Sequence, residues 1–175
     1  CGFMGQLILQ GLLHAPLADL VVIDIAENRL ALARQQGAAE TINSSQVDRV
    51  DLAASLKARN FDVVVDTSGS QAGLDLATDI VRRGGLINLF GWIKGDRATI
   101  DPTKWHIGGF SLVNSSPSAK LRDPFPPAID LIQRGIFDLR PLVTHTVPLT
   151  DYPDLMAEIL AGDGGYVKGV VSQTE

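Results

Sequence analysis

Two glycines near the start of the sequence have a spacing that suits phosphate binding. Gly2 and Gly5, in the run Cys-Gly-Phe-Met-Gly, match the second and third glycines of a Gly-x-Gly-x-x-Gly turn whose first glycine would lie just upstream. The second glycine of such a turn lets the backbone approach a pyrophosphate, and the third lets the following helix, predicted for 6–13, pack on a sheet. Phe3 and Met4 complete the turn. In a chain with 17 glycines, a chance pair is the alternative.

An acidic residue follows at the distance expected for a ribose-binding carboxylate. Asp24 ends a predicted strand about 20 residues after the glycine pair. A carboxylate there accepts hydrogen bonds from both hydroxyls of an adenosine ribose and repels a 2′-phosphate, which predicts a preference for NAD over NADP. The alternative is that Asp24 caps the next helix. Arg29, in the first turn of that helix, contacts the adenosine or is a solvated charge, and we expect it a full helical turn from Asp24.

The elements that must position these residues alternate between apolar strands and amphipathic helices. Nearly continuous apolar side chains indicate strands covered on both faces, and hence a parallel sheet between helices. These strands are predicted for 20–24, 61–66, 86–90 and 110–113. The helices between them, with polar starts and glycine ends, are predicted for 27–36, 51–59 and 71–83. Further on, helices are predicted for 127–133 and after Thr150, and strands near Thr146 and for 167–171.

The composition changes after Ser115, which marks the best candidate for a boundary. Four prolines and two basic residues crowd the loop that follows: Pro117, Lys120, Arg122, Pro124, Pro126 and Pro127. The sequence therefore predicts one domain over 1–115 and a C-terminal segment over 116–175.

Composition also excludes several classes of function. The net charge is −5, from 15 basic and 20 acidic residues, and lacks the basic excess that nucleic-acid binding needs. No apolar run approaches the ~18 residues of a membrane-spanning helix. A single cysteine cannot form an internal disulfide, which favours a reducing, cytoplasmic location. The three histidines, His14, His106 and His145, lack metal-ligand spacing, so we predict neither a metal site nor a catalytic residue in this chain.

Five segments, taken in order, resemble the nucleotide-binding part of the medium-chain dehydrogenase/reductase family, in its zinc-type alcohol and polyol dehydrogenase group. They are Cys-Gly-Phe-Met-Gly, Val-Val-Ile-Asp, Phe-Asp-Val-Val-Val-Asp-Thr-Ser-Gly-Ser, Arg-Arg-Gly-Gly-Leu-Ile-Asn-Leu-Phe-Gly and Leu-Val-Thr-His-Thr-Val-Pro-Leu. Each segment alone is too variable to identify a family, but the five segments in this order are specific for this one. The resemblance implies a Rossmann-type doubly wound parallel sheet that lacks its first strand here, plus a C-terminal α/β segment that folds toward a catalytic domain.

The resemblance also implies roles for residues after later strands. Thr67, Ser68 and Gly69 would lie beside the cofactor, although a helix-capping loop explains them equally well. Phe90, Gly91 and Trp92 would form the strand end near the nicotinamide carboxamide. Lys168 would reach the pyrophosphate, or else is a solvated lysine at a strand end.

The implied activity is that of an NAD-dependent oxidoreductase acting on an alcohol or ketone. Any zinc would belong to the N-terminal domain that this sequence does not include, so we expect this segment alone to turn over no alcohol. A zinc-free quinone or enone reductase of the same superfamily is the first alternative; such enzymes tend to use NADPH, which Asp24 disfavours. A noncatalytic nucleotide-binding and dimerising module is the second. In related enzymes an edge strand pairs with the same strand of a second subunit across a two-fold axis. Residues 109–113 are predicted to form such an edge strand, so we expect a homodimer or tetramer.

Overall fold

The computed structural model describes residues 1–95, 97–115, 123–162 and 165–173. The proline-rich loop of Pro117, Lys120 and Arg122 therefore lies outside the described residues, as does the predicted start of the C-terminal segment. The helices are α1 (Phe3–Leu13), α2 (Glu27–Gln36), α3 (Arg49–Lys57), α4 (Gln71–Ile80), α5 (Pro102–Gly108), α6 (Phe125–Gln133) and α7 (Tyr152–Ala161). The strands are β1 (Val21–Asp24), β2 (Glu40–Asn43), β3 (Phe61–Asp66), β4 (Val81–Leu89), β5 (Ser111–Asn114), β6 (His145–Pro148) and β7 (Gly169–Ser172).

The chain divides into two compact units. Unit 1 comprises Cys1–Asn43 and Asp123–Glu175, and unit 2 comprises Ser44–Arg122. This division brings the first and last parts of the sequence together and differs from a cut after residue 115. The assignment of domains to 1–115 and 116–175 stays a prediction.

Unit 1 holds two small parallel sheets. β1 pairs with β2, with Val21 opposite Glu40, and β6 pairs with β7, with His145 opposite Gly169. Each pair is joined through a helix, which is the connection that parallel strands need. The core beside β1 consists of Leu9, Val22, Leu30, Ala33 and Ala38, all buried.

Unit 2 holds a three-stranded parallel sheet in the order β3-β4-β5. Its core is formed by Ala77, Val81 and Ile87, with Val64 and Phe110 packed against them. Every strand pairing in the described parts of both units is parallel, so the predicted α/β class with parallel sheets is confirmed.

The predicted helix over 71–83 is too long. α4 ends at Ile80, and Val81 is already extended, with φ −63° and ψ 139°. Val81 pairs with Phe61, after which the register shifts before Leu86 pairs with Val63. Gly84, at φ +66°, lies within this irregular stretch, where the left-handed backbone favours glycine. Arg82 and Arg83 therefore belong to β4 and not to a helix end.

Two elements were not predicted from the sequence, β2 and α5. β2 reads Glu-Thr-Ile-Asn and all four residues are half-buried, so it lacks the apolar run used to find the other strands. α5 carries a local signal, because the Asp101 side chain accepts hydrogen bonds from the N–H groups of Thr103 and Lys104 and Pro102 follows the cap. No helix in the described parts of the chain is long and apolar enough to cross a bilayer.

Candidate functional site

The space beside Gly2 is open. Gly2 precedes α1 in an extended conformation, with φ −68° and ψ −163°, which any residue can adopt. A Cβ atom built on Gly2 would meet no heavy atom within 4 Å. Neither backbone conformation nor packing within the chain therefore requires glycine at this position. The open space would suit a ligand that approaches the backbone closely.

The N-terminus of α1 carries positive potential. No side chain caps α1, so its first-turn N–H groups remain available to an acceptor, and its first turn contains no acidic residue. Lys168 lies beside this turn, with its Nζ 5.1 Å from the centre of the Phe3 ring. Gly5 is buried within α1 and Met4 is 45% exposed. Free N–H groups and a nearby ammonium together favour an anion.

Asp24 lies buried at the end of β1, and its oxygens face two backbone nitrogens. Oδ1 accepts from the Ala26 N–H at 2.9 Å, and Oδ2 accepts from the amino group of Cys1. The N-cap of α2 is Ala26, which has no side-chain cap. The alternative that Asp24 caps α2 is therefore wrong, because its carboxylate closes the turn before the helix instead.

The surroundings of Asp24 keep its carboxylate ionised at neutral pH. Burial by itself would raise the pKa of Asp24, but hydrogen bonds from the Cys1 nitrogen and the Ala26 N–H and the positive charge of Arg29 lower it. The pKa of Asp24 therefore lies below its usual range.

Arg29 lies closer to Asp24 than the sequence spacing indicates. Its Nη1 is 3.8 Å from Asp24 Oδ2, and its side chain is 38% exposed. The expected separation by a full helical turn is wrong, because the guanidinium reaches back over the start of α2. Arg29 and Asp24 form a charged pair at the end of β1, in which the carboxylate is buried and the guanidinium is partly exposed.

In unit 2, the ends of β3 and β4 are held together by the backbone of Asp66. Its carbonyl oxygen accepts from the N–H groups of Phe90 and Gly91, at 2.9 and 2.8 Å. Its carboxylate accepts from the N–H and the hydroxyl of Ser68, at 2.8 and 2.7 Å. Ser70 caps α4 by accepting from the Gly73 N–H. The sequence from Asp66 to Ser70 thus has a local structural role as a capped turn.

Packing within unit 2 explains its two glycines at these strand ends. A Cβ atom on Gly69, which has φ +61°, would collide with the carbonyl oxygen of Trp92. A Cβ atom on Gly91 would lie 2.5 Å from the Gly69 nitrogen and 2.7 Å from the Thr67 carbonyl carbon. These glycines contrast with Gly2, since the chain itself fills the space beside them.

Beyond these glycines, Trp92 lies three residues after the end of β4 and is 94% exposed. Its neighbour Ile93 lines a small cleft together with Asp66, Gly69, Lys94 and Arg97. The predicted site residues therefore form two groups, each described within its own unit. Unit 1 brings together Gly2, Phe3, Met4, Gly5, Asp24, Arg29 and Lys168, and unit 2 brings together Thr67, Ser68, Gly69, Phe90, Gly91 and Trp92.

The sequence did not reveal one set of residues, the buried glutamines of α1 that follow the glycine pair. Gln6 is fully buried and Gln10 is 7% exposed. The available signal was the position of two amides on the apolar side of a helix that begins at the glycine turn. Such amides need partners inside the protein.

Residues 4–134 match the family described as zinc-binding dehydrogenase. Since the match covers most of the sequence, the chain belongs to the zinc-binding dehydrogenase family. This membership confirms the resemblance drawn from the motifs.

Two proteins similar to the chain at 27–29% identity support the same assignment. L-Threonine 3-dehydrogenase from Paraburkholderia xenovorans is 29% identical over 155 residues, which are 88% of this chain and 44% of that protein. The crystal structure of an Escherichia coli oxidoreductase/dehydrogenase of unknown specificity involved in membrane biogenesis matches with a TM-score of 0.85 at 27% identity, over 99% of this chain and 49% of that chain.

A third similarity concerns the fold alone. The short chain alcohol dehydrogenase from Escherichia coli CFT073, complexed with cofactor NADH, matches with a TM-score of 0.82 at 22% identity, over 98% of this chain and 50% of that chain. These likenesses, which extend over nearly the whole chain, confirm the Rossmann-type fold class. The chain spans about half the length of the curated relatives it matches.

The family name raises the question of zinc. Within the described ranges, no group of three His, Cys, Asp or Glu side chains could hold a metal ion. The donor set in this part of the chain does not fit a zinc site, and we assign no chemical step to zinc.

The difference between Gly2 and Gly91 predicts that the same substitution destabilises the protein at Gly91 but not at Gly2. Gly91→Ala should lower the free energy of unfolding by about 1–3 kcal/mol, because the new methyl group overlaps backbone atoms. Gly2→Ala should change it by less than about 0.5 kcal/mol, because the methyl group enters open space. Urea unfolding of both variants of the intact protein tests this. Equal destabilisation by the two substitutions would contradict the open space at Gly2.

Proposed function

We propose that this chain is the NAD(H)-binding part of a zinc-type alcohol or polyol dehydrogenase-like oxidoreductase. The enzyme would transfer hydride between a CH–OH carbon of an alcohol, or the corresponding ketone, and the nicotinamide ring. The observation that carries the proposal is the open space at Gly2, where nothing within the chain requires a glycine. A pyrophosphate that approaches the backbone would require it.

The charges and donors of unit 1 support this assignment. The uncapped N-terminus of α1 and the Lys168 ammonium would stabilise the pyrophosphate. The Asp24 carboxylate, ionised at the end of β1, would accept hydrogen bonds from the adenosine ribose, with Arg29 beside it. A protein with the same fold is complexed with NADH, which is consistent with this choice of cofactor.

The contribution of unit 2 to the proposal is based on the family resemblance. Thr67, Ser68 and Gly69 would contact the cofactor, and Phe90, Gly91 and Trp92 would lie near the nicotinamide carboxamide. The capped turn and the packing at Gly69 and Gly91 would keep these strand ends rigid. The cofactor supplies the hydride chemistry, while the protein supplies binding and orientation.

We assign no catalytic residue to this chain. The substrate-binding and proton-transfer groups would belong to the remainder of a protein about twice as long, as the lengths of the relatives indicate. Any zinc would also belong there. Two alternatives remain. A preference for NADPH would favour a zinc-free quinone or enone reductase. Nucleotide binding without hydride transfer would favour a noncatalytic nucleotide-binding module. A cytoplasmic location stays a prediction.

Binding of NADH by the intact protein tests the role of Gly2. Energy transfer from tryptophan to bound NADH is a suitable signal, since Trp92 is 94% exposed at a proposed contact position. Gly2→Ala should weaken NADH binding at least tenfold, or about 1.4 kcal/mol, because the methyl group would occupy the place of the pyrophosphate. Gly11→Ala is the matched control in the same helix, where a Cβ atom makes an ordinary 3.5 Å contact with Phe137. Unchanged affinity in Gly2→Ala would exclude a pyrophosphate at this turn.

Asp24 predicts a preference of at least tenfold for NAD over NADP. Its carboxylate would repel a 2′-phosphate by up to ~4 kcal/mol per unit charge at an effective dielectric near 20, and the adjacent Arg29 offsets part of this. Because the surroundings of Asp24 hold its pKa below the usual range of an aspartate, the preference should persist down to about pH 5 and weaken only as more acidic solution protonates the carboxylate.

Titration calorimetry with both dinucleotides measures this preference. Asp24→Asn should reduce it, whereas Glu27→Gln, an exposed acid in the first turn of α2, should not. Equal affinities for NAD and NADP in the unmutated protein would remove Asp24 from the explanation.

We also propose a homodimer or tetramer formed through β5. The strand begins at Ser111, because Gly109 ends α5 at φ +56° and Phe110 packs against Trp105; the predicted start at residue 109 is therefore wrong. β5 is at one edge of the β3-β4-β5 sheet, and Leu112 and Val113 are 42% and 38% exposed. Such an edge can pair with a second copy. Leu112→Lys should lower the mass measured by sedimentation, and an unchanged mass would exclude this edge.

A further inference from the structure

Three glutamine side chains in unit 1 form a continuous chain of hydrogen bonds behind Gly2. The Gln6 oxygen accepts from the Gln36 amide nitrogen, and the Gln36 oxygen accepts from the Gln10 amide nitrogen at 2.6 Å. Gln6 and Gln10 lie one turn apart on α1, and Gln36 is the last residue of α2. The side chains therefore link the two helices that flank the end of β1.

Backbone groups at both ends of this row of glutamines fix the orientation of all three side-chain amides. The Gln6 amide nitrogen donates to the carbonyl oxygens of Cys1 and Arg29, at 3.0 and 2.9 Å. At the other end, Gln10 donates to the Asp138 carbonyl oxygen at 2.8 Å and accepts from the Asp138 N–H at 2.9 Å. Turning any one amide over would place a donor against a donor, so only one arrangement satisfies all of these groups.

The two carbonyls bound by Gln6 belong to the parts of the chain that would hold the nucleotide. Cys1 immediately precedes Gly2, and Arg29 is paired with Asp24 in the first turn of α2. One buried side chain therefore sets the distance between the proposed pyrophosphate turn and the proposed ribose-binding pair. A dinucleotide fixes the same distance from its own side, because its pyrophosphate and adenosine ribose are joined covalently.

We infer that Gln6 is a positioning residue for nucleotide binding, which holds the Asp24–Arg29 pair in register with the glycine turn. This inference rests on the proposed function. Gln6 would not touch the cofactor and would act through the carbonyls of Cys1 and Arg29. An apolar side chain of the same size would fill the space but leave both carbonyls without their donor. The start of α2 could then shift, and the Asp24 carboxylate would move relative to the ribose hydroxyls.

Gln10 provides a matched control for Gln6. Both glutamines are buried in α1, both belong to the same hydrogen-bonded chain, and both can be changed to methionine. Gln10, however, binds Asp138 and makes no bond to Cys1 or Arg29. Gln6→Met and Gln10→Met should both lower the free energy of unfolding, because each leaves buried polar groups without partners. Only Gln6→Met should act through Asp24.

A double-mutant cycle on NADH binding by the intact protein tests this inference. Gln6→Met should weaken NADH binding about tenfold on its own but less than about threefold when Asp24→Asn is already present, because Asp24 is then no longer available to be positioned. Gln10→Met should change the affinity less than threefold in both backgrounds. If Gln6→Met does not fold, Gln6→Asn, whose shorter amide cannot reach both carbonyls, takes its place.

The outcomes separate the two proposals. Failure of the unmutated protein to bind NADH would refute the proposed function. Binding that Gln6→Met weakens equally with and without Asp24→Asn would show a merely structural role and overturn the inference. Binding that neither Gln6→Met nor Asp24→Asn affects would overturn it as well.

Discussion

A carboxylate buried at the end of a parallel strand must be given hydrogen-bond donors, and this chain meets that constraint twice in the same way. Asp24 ends β1, Asp66 ends β3, and each is 8% exposed. Each accepts a hydrogen bond from the backbone N–H two residues later, at 2.9 and 2.8 Å. This bond turns the chain out of the strand and toward the next helix. The two turns differ in what else the carboxylate contacts. Asp66 accepts from a hydroxyl of its own loop, whereas Asp24 lies beside the half-exposed guanidinium of Arg29.

That difference distinguishes a structural turn from a candidate binding turn. Around Asp66 the backbone is packed so closely that Gly69 and Gly91 have no room for a side chain. In unit 1 there is unfilled space beside Gly2, an uncapped N-terminus of α1, and one cationic side chain near each of the two residues: Lys168 beside the Gly2 turn and Arg29 beside Asp24. Burial of an unpaired carboxylate would be costly, so the donors around Asp24 serve to keep it charged as well as fixed. A glycine that the chain does not need for its own packing is therefore more informative about a ligand than one that it does need.

Much of this arrangement follows from local sequence, and the parts that do not have a common physical cause. β3 has the predicted ends because its valines are continuous and Asp66 stops the run. α4 was predicted three residues too long because Val81 suits either a helix end or a strand, and pairing with Phe61 decides between them. The contact of Arg29 with Asp24 depends on a side-chain conformation that spacing does not specify. The glutamine chain joins residues that are far apart in the sequence, so no local pattern contains it.

The hydrogen bond between Gln10 and Asp138 constrains the order in which parts of the protein can fold during synthesis. It joins positions 128 residues apart, and the whole of unit 2 is encoded between them. At a synthesis rate of about 5 to 20 residues per second, roughly 6 to 26 s separate the appearance of the two partners. During that interval the Gln10 amide can already donate to Gln36, but its two hydrogen bonds with Asp138 cannot form. Unit 2, which is continuous in sequence, is therefore synthesised completely before α1 can make its contact with Asp138.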